Sequence, residues 1–478
     1  MTAADTSVQA GWETVIGLEV HCELGTATKL FCGCRNAFGD EPNTNVCPVC
    51  LGLPGSLPVL NRRAVEFAMK IGEALHCTVE PSIFHRKNYF YPDMPKDYQI
   101  SQYDLPINVR GWLALPDGSR VGVTRAHMEE DTGKTTHVGT SGRIHGADYA
   151  LVDYNRAGVP LVEIVSDPDI RSAEQARAYV HELRAILAAI EVSDVKMEEG
   201  SLRIDANISV RRQGSDEFGT RCEIKNLNSL RSLGRALEYE VTRQVQLVES
   251  GGAVVQETRG WNEDDGRTHS MRSKEEAFDY RYFPEPDLVP VEPGDAWLAE
   301  VHASMPVLPA ERRAQLAAVA GATSPADVAV VIERGLDALA LAAIAAGADP
   351  ERVLTHTVHN LAVEGAAGLD PAAFAELVRM ESEGKLTATQ AKKVLAELLA
   401  GGGQPADIAK RMGFEAMDKD ALGAVVDRVL ADNAAELERL KSGDMKVIGF
   451  FVGRVMDATQ GKADGKTVTT LLRERASA

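Results

Sequence analysis

The chain has 478 residues, 44% of them apolar and 25% charged, with a formal charge of −19. That length exceeds one ordinary core and points to about two or three domains, and the composition excludes a disordered chain. The charge argues against broad electrostatic binding of nucleic acid. Only the segment from Lys441 onward, with seven Lys/Arg against four Asp/Glu, is mildly basic. The first residues, MTAADTSVQAGWE, show no basic stretch leading into an apolar core, so no signal peptide is expected. The most apolar run, ALALAAIAA (338–346), falls far short of the ~20 residues that cross a bilayer, and a cytoplasmic protein is expected.

The first predicted element is a strand, VIGLEVH (15–21), whose alternation sets Val15, Gly17, Glu19 and His21 opposite Ile16, Leu18 and Val20. Four of the seven cysteines follow in FCGCRNAFGDEPNTNVCPVC (31–50): Cys32, Cys34, Cys47 and Cys50, spaced C-x-C, twelve residues, C-x-x-C. Without an export signal, such pairs favour a tetrahedral zinc site over disulfides, although close pairs are also able to bridge. Cys22, Cys77 and Cys222 read as plain buried thiols. KNYFYPDMPKDYQISQY (87–103) concentrates five aromatics in a chain with 5% aromatics; they suit stacking on a base or a small local core.

HMEEDTGKTTH (127–137) places three acids between two histidines, and reads either as a solvated acidic turn or as half of a metal site. As a strand it would put His127, Glu129 and Asp131 on one face and Glu130 on the other. GKTTH lacks the upstream glycine of a phosphate loop, there is no Walker A or G-x-G-x-x-G, and no serine-nucleophile pattern of the kind that would make the chain an amidase by itself is expected. A phosphate site here would need a metal and basic side chains such as Lys87, Arg125 or Lys225. In the strand PLVEIVS (160–166), Glu163 lies between apolar neighbours, where a buried carboxylate needs a cation.

A helix is expected over 172–190, with Ser172 and Gln175 as a capping box and Val180, Leu183, Leu187 and Ile190 as its apolar stripe. LRIDANISV (202–210) alternates without a break and brings Asp205 to a polar face; RCEIKNLNS adds Glu223 beside Lys225, and a second helix follows over Leu230 to Glu249. The proline-rich YFPEPDLVPVEPGD (282–295) reads as an inter-domain linker, after which AAFAELVRM (372–380) is typical of a helical region broken at GGGQP (401–405). The expected domains are 1–294, an α+β region containing the 31–50 cysteine loop, then helical domains over 295–405 and 406–478. Carboxylates from several strands meeting on one face repel, and a hard cation such as Mg²⁺ removes that cost; the plainer reading is a solvent-facing surface paired with Arg and Lys.

Several long blocks read together. ETVIGLEVHCEL, FGDEPNTNVCPVCLGLPGSLPVLN, RKNYFYPDMPKDYQISQYDLPI, HMEEDTGKTTH, LVDYNRAGVPLVEIVSDPDIRS, VKMEEGSLRIDANISVR, EIKNLNSLRSLGRALEYE, DYRYFPEPDLVP and GFFVGRVMDATQGKADGK resemble the B-subunit family of glutamine-dependent aspartyl/glutamyl-tRNA amidotransferases, in order and over essentially the whole chain. The resemblance implies a carbon–nitrogen ligase that uses ATP and Mg²⁺ to phosphorylate the side-chain carboxylate of Asp-tRNA(Asn) or Glu-tRNA(Gln). Ammonia from the amidase, the A subunit, then displaces the phosphate. A heterotrimer completed by the small C subunit handles the misacylated tRNA, with a non-discriminating aminoacyl-tRNA synthetase as a further candidate partner. The resemblance also implies an antiparallel-sheet cradle similar to the glutamine synthetase and guanidino kinase catalytic fold, followed by two all-α domains, the last holding tRNA through 441–478. It implies Glu19, Glu129 and Glu163 as Mg²⁺ ligands, with His21, Glu130 and Asp205 completing that shell or a second metal site. Lys87 and Lys225 would meet phosphate or the substrate carboxylate. Some members lack the four cysteines, so zinc there is expected to be structural. The rival class is a non-catalytic zinc-containing tRNA-binding protein whose acids are only surface.

Overall fold

The computed structural model describes residues 11–139, 147–273, 280–321, 324–363, 365–414, 419–441, 445–459, 463 and 465–477. The first ten residues, read above for a leader, and Lys462 of the basic segment lie outside them. The chain divides into two compact units, one ending at Leu308 and one starting at Pro309.

The first unit is α+β. Its strands are β1 (Trp12–Glu23), β2 (Thr78–Val79), β3 (His85–Asn88), β4 (Tyr98–Ser101), β5 (Asn108–Ala114), β6 (Arg120–Glu130), β7 (Lys134–Gly139), β8 (Ala147–Asp153), β9 (Pro160–Ser166), β10 (Leu202–Arg212), β11 (Cys222–Lys225), β12 (Glu257–Asn262), β13 (Arg267–Ser273) and β14 (Phe283–Pro284). Twelve of them form one sheet in the order β13-β12-β11-β10-β1-β9-β6-β4-β3-β14, with β5 pairing β6 and β2; β7 and β8 form a separate ribbon. Within GKTTH, Lys134 to His137 are thus strand, not a phosphate loop.

The alternation read from sequence is the alternation seen. Ile16, Leu18, Val20 and Cys22 of β1 and Leu202, Ile204, Ala206 and Ile208 of β10 are buried, while Glu19, His21, Arg203 and Asp205 face the other way. The apolar face is covered by α1 (Arg62–Ala74), α2 (Ala173–Ala189) and α3 (Leu230–Glu249), which join it in a single core. Gly72 lets α1 approach the sheet: a Cβ there would come within 1.9 Å of the Asn108 side-chain oxygen. Ser172 caps α2 by accepting from the Gln175 amide, but the Gln175 side chain accepts from Arg171 N–H rather than Ser172 N–H, so only half of the expected box forms.

Three features differ from the sequence reading. The sheet is mixed, because β11 and β12 run parallel; they are joined through α3, and such a crossover returns the chain in the same direction. The proline-rich stretch is not a free linker. Phe283–Pro284 pairs with β3 at the sheet edge, where a proline without N–H is tolerated, and Glu285 is buried against Arg86 at 2.7 Å. The compositional change at Asp295 also precedes the boundary between units: α4 (Asp295–Ala303) packs Val301 into the sheet unit's core.

The second unit is all helical: α5 (Pro309–Ala320), α6 (Pro325–Glu333), α7 (Asp337–Ala345), α8 (Pro350–His359), α9 (Pro371–Ser382), α10 (Ala388–Gly401), α11 (Pro405–Arg411), α12 (Lys419–Asp432), α13 (Ala434–Lys441), α14 (Ile448–Ala458) and α15 (Gly465–Ser477). α6, α8 and α9 each start with proline behind a Ser or Asp cap, the favoured N-terminal arrangement. Two separate cores form, one from Leu316 to Ala409 and one from Leu422 to Leu472, so the break at 401–405 falls inside the first; Ile408 and Ala409 of α11 still belong to it. No helix among the described residues is long and apolar enough to cross a membrane.

Leu183 of α2 is fully buried between α3 and the sheet unit's core. Leu183→Ala is expected to cost about 2–5 kcal/mol, read as a lower urea midpoint at unchanged slope.

Candidate active site

Antiparallel register builds the site. On β1, β9 and β6, His21 stands opposite Glu163, and Glu163 opposite His127, so three adjacent strands bring these side chains together on the polar face. Glu129, two residues beyond His127, shares that face, and Ser101 of β4 donates to its carboxylate at 3.4 Å. Glu163 lies 3.6 Å from both imidazoles, and His127 lies 3.9 Å from Glu129. Nitrogen and carboxylate atoms of His21, Glu129 and Glu163 all fall within 4.8 Å of one another.

Charge divides unevenly in this group. Burial alone would lower the His21 pKa, but the hydrogen bond and negative charge of Glu163 raise it to about 9. Burial keeps His127 neutral, down to about 4. Glu163 is held well below the usual carboxylate range against its burial by the facing imidazoles of His127 and His21. Glu129 is pushed up to about 6 by burial and by Glu163. One nitrogen and two carboxylates fit a divalent cation, and the raised Glu129 is the group such a charge would relieve.

Glu19 stands on the same face but outside this trio. It faces Asp205 across β10, accepts from the Asn207 side chain at 2.8 Å, and has a raised pKa from burial and then from Glu163. Asp205 and Glu223 share Lys225, at 2.6 and 2.9 Å. Lys87 lines the cavity below β3, with its ammonium 4.8 Å from the Tyr280 ring. Arg125 does not line it, though its charge reaches Glu163. Glu130 points to the opposite face, where it is buried on Lys96 and accepts from Ile100 N–H at 2.8 Å. The structure therefore gathers His21, Glu129 and Glu163, sets Glu19 and Asp205 beside them, and turns Glu130 away.

Sequence reasoning named Lys87 and Lys225 but missed His127 as a neighbour of the group, and Arg203 and Arg156 in the cavity lining. Asp131 is salt-bridged to Arg203 at 2.7 Å, with Arg156 at 3.7 Å and Glu23 nearby; Glu23 is pushed up to about 8 by burial and by Asp131. The alternation of β10 already put Arg203 on the Asp205 face. The cavity holding these groups measures about 710 Å³ and is also lined by Lys134, Tyr89 and Asn226.

The four cysteine sulfurs also lie within 4.8 Å of one another, and all seven cysteines are free thiols. Cys47 and Cys50 sulfurs are 3.9 Å apart, far beyond a disulfide bond. The hydrogen bond from Cys32, the Cys47 backbone and the buried Lys29 together bring Cys50 down to about 5. Four soft sulfurs with an easily ionised member suit a structural metal. Cys22 and Cys222 are buried as expected, and Cys77 is half-buried.

Hard carboxylate donors beside lysines and arginines have the chemistry to take a divalent cation and anionic oxygens, the combination a phosphoryl-transfer ligase requires. Residues 14–299 match the GatB/GatE catalytic domain and residues 353–475 the GatB domain, and the chain belongs to that family. It is 51% identical over 489 residues to the B subunit of the aspartyl/glutamyl-tRNA(Asn/Gln) amidotransferase from Frankia casuarinae, covering 98% of this chain and 97% of that protein. The protein of the same name from Moorella thermoacetica is 51% identical over 481 residues, covering 97% and 99%. That from Thermobifida fusca is 48% identical over 490 residues, covering 98% and 95%.

Cys47→Ser is expected to abolish stoichiometric metal in the purified protein, measured by atomic emission, and to lower its melting midpoint. Unchanged metal content would exclude the cysteine cluster as the holder.

Proposed function

We propose that this chain is the B subunit of a glutamine-dependent tRNA amidotransferase, and that its polar sheet face activates the side-chain carboxylate of aspartate or glutamate esterified to the wrong tRNA. The observation that carries the reading is the His21, Glu129 and Glu163 group, set among lysines and arginines in a chain that matches its relatives over nearly their full length. The protein partners are the amidase (the A subunit) and the small C subunit, with misacylated tRNA as substrate, and the assembly works in the cytoplasm. The first unit would share the cradle architecture of glutamine synthetase and the guanidino kinases.

A carboxylate is a poor electrophile, and phosphorylation supplies its leaving group. Phosphoryl transfer asks a protein mainly for positioning and for cations against developing negative charge. ATP brings the phosphoryl group, and Mg²⁺, held by Glu129, Glu163 and His21 with Glu19 and Asp205 behind them, would offset charge on its oxygens. Lys87, Lys225 and Arg203 meet anionic oxygens from three sides of the cavity. Glu163, charged and fixed between two histidines, orients them. Zinc on Cys32, Cys34, Cys47 and Cys50 pins the loop and takes no part in the reaction. Binding of the tRNA body falls to the helical unit and its basic end, with shape outweighing net charge.

In the assembly reconstituted with its partner subunits, Glu129→Ala is expected to lower ATP-dependent amidation of misacylated tRNA at least about 100-fold, as loss of one electrostatic group at a reacting centre does. Glutamine hydrolysis by the partner should persist. Amidation at the wild-type rate would sink the assignment. Running wild type on Asp-tRNA(Asn) and Glu-tRNA(Gln) separately distinguishes the two substrates.

A further inference from the structure

The aromatic cluster of residues 87–103 contributes no ligand to the metal group, yet it borders it. Ser101 hydrogen-bonds Glu129, and Tyr103 follows two residues later. The Tyr103 ring lies parallel to that of Tyr282, 3.9 Å between centroids and 8° between planes. Tyr280 meets Tyr282 edge-on at 6.0 Å, and the segment is tied to β3 by the Asn88 side chain, which donates to the Tyr280 and Arg281 carbonyls at 2.9 Å each. Burial and the negative charge of Glu129 raise the Tyr282 pKa, so the stack stands within electrostatic range of the acid group.

A local core would enclose both rings. Here the stack has an open end, because Tyr103 is 54% exposed while its partner is half-buried. A parallel pair with one open face accepts a further flat ring at little cost. The proposed substrate brings one. Its carboxylate is joined to the 3′-terminal adenosine through one amino acid and one ribose, so the adenine stays a short tether away when the carboxylate lies beside Glu129, whose strand neighbour β4 leads into Tyr103. The phosphoryl donor carries a second adenine, but in-line transfer puts attacking and leaving oxygens on opposite sides of phosphorus, so the two nucleosides cannot share a shelf. A separate cavity of about 250 Å³, lined by Val15, Gly17, Val165 and Phe218, opens beside Glu19 on the β1–β10 side of the sheet. The tyrosine stack stands across the sheet, at its β4–β3–β14 edge.

Resting on the function proposed above, we propose that the adenine of the tRNA 3′-terminal adenosine seats on Tyr103 and continues the Tyr103–Tyr282 stack. This ring then sets how far the esterified amino acid reaches into the cavity.

The test is steady-state kinetics of the reconstituted assembly with misacylated tRNA and ATP varied in turn. Tyr103→Ala should raise KM for the tRNA about tenfold, the loss of one base–aromatic stack, with kcat within about twofold and KM for ATP unchanged. Tyr103→Phe and Tyr103→Trp keep a π face and should retain wild-type KM; Tyr103→Leu keeps bulk without one and should behave as alanine, serving if the alanine variant does not fold. A rise in KM for ATP instead would give the stack to the donor nucleotide and overturn the proposal, as would unmoved constants in both the alanine and leucine variants. Wild type without tRNA-dependent ATP use would instead remove the underlying functional reading, and this inference with it.

Discussion

Everything on the polar face follows from the difficulty of holding carboxylates together away from water. Each buried negative charge raises the pKa of its neighbours unless a positive group stands against it. The sheet meets this locally. Glu163 sits between two histidines, Asp131 on Arg203, Asp205 and Glu223 on Lys225, and Glu130 on Lys96. Among the described residues, two carboxylates of this face make no salt bridge to a lysine, an arginine or the charged His21: Glu129 has Ser101 and the mostly neutral His127, and Glu19 has Asn207. Both have raised pKa values. These less compensated positions are where an added cation gains most.

Such a face is possible only because the other one is mostly apolar, Glu130 and Lys96 apart. Three helices bury Ile16, Leu18, Val20, Ile164, Ala126 and Met128, and the strand period of two then forces the alternate residues outward. Moving a strand by one residue would exchange carboxylates for leucines across the whole face, so core packing fixes the register that assembles the site. Stability and function here depend on the same pairings.

That division explains what could be read from the sequence. Alternation in residues 15–21 and 202–210 displays which residues share a face, and it separated Glu129 from Glu130 correctly. Helix α2 is visible from its cap and apolar stripe, and α3, expected after KNLNS, runs from Leu230 to Glu249. Strand neighbours are not local information, however. Nothing near Glu163 in the chain announces that His21 and His127 flank it, and nothing near Glu130 announces Lys96; only the register brings these pairs together. The parallel β11–β12 pair and the edge strand at Phe283–Pro284 were hidden for the same reason; a proline run looks alike whether it crosses a gap or straps a sheet edge.

The cysteine loop is remote from this chemistry in sequence but is joined to it by backbone. Leu30 N–H donates to the Gly158 carbonyl at 2.9 Å, and Gly158 N–H donates to the Asp131 carbonyl at 2.9 Å. The buried Lys29 ammonium holds the Tyr154 carbonyl at 3.2 Å. Two hydrogen bonds thus connect the start of the loop to the residue that anchors Arg203 in the cavity wall. A metal on the four sulfurs would fix the loop in the conformation these bonds require, without its charge entering the cavity.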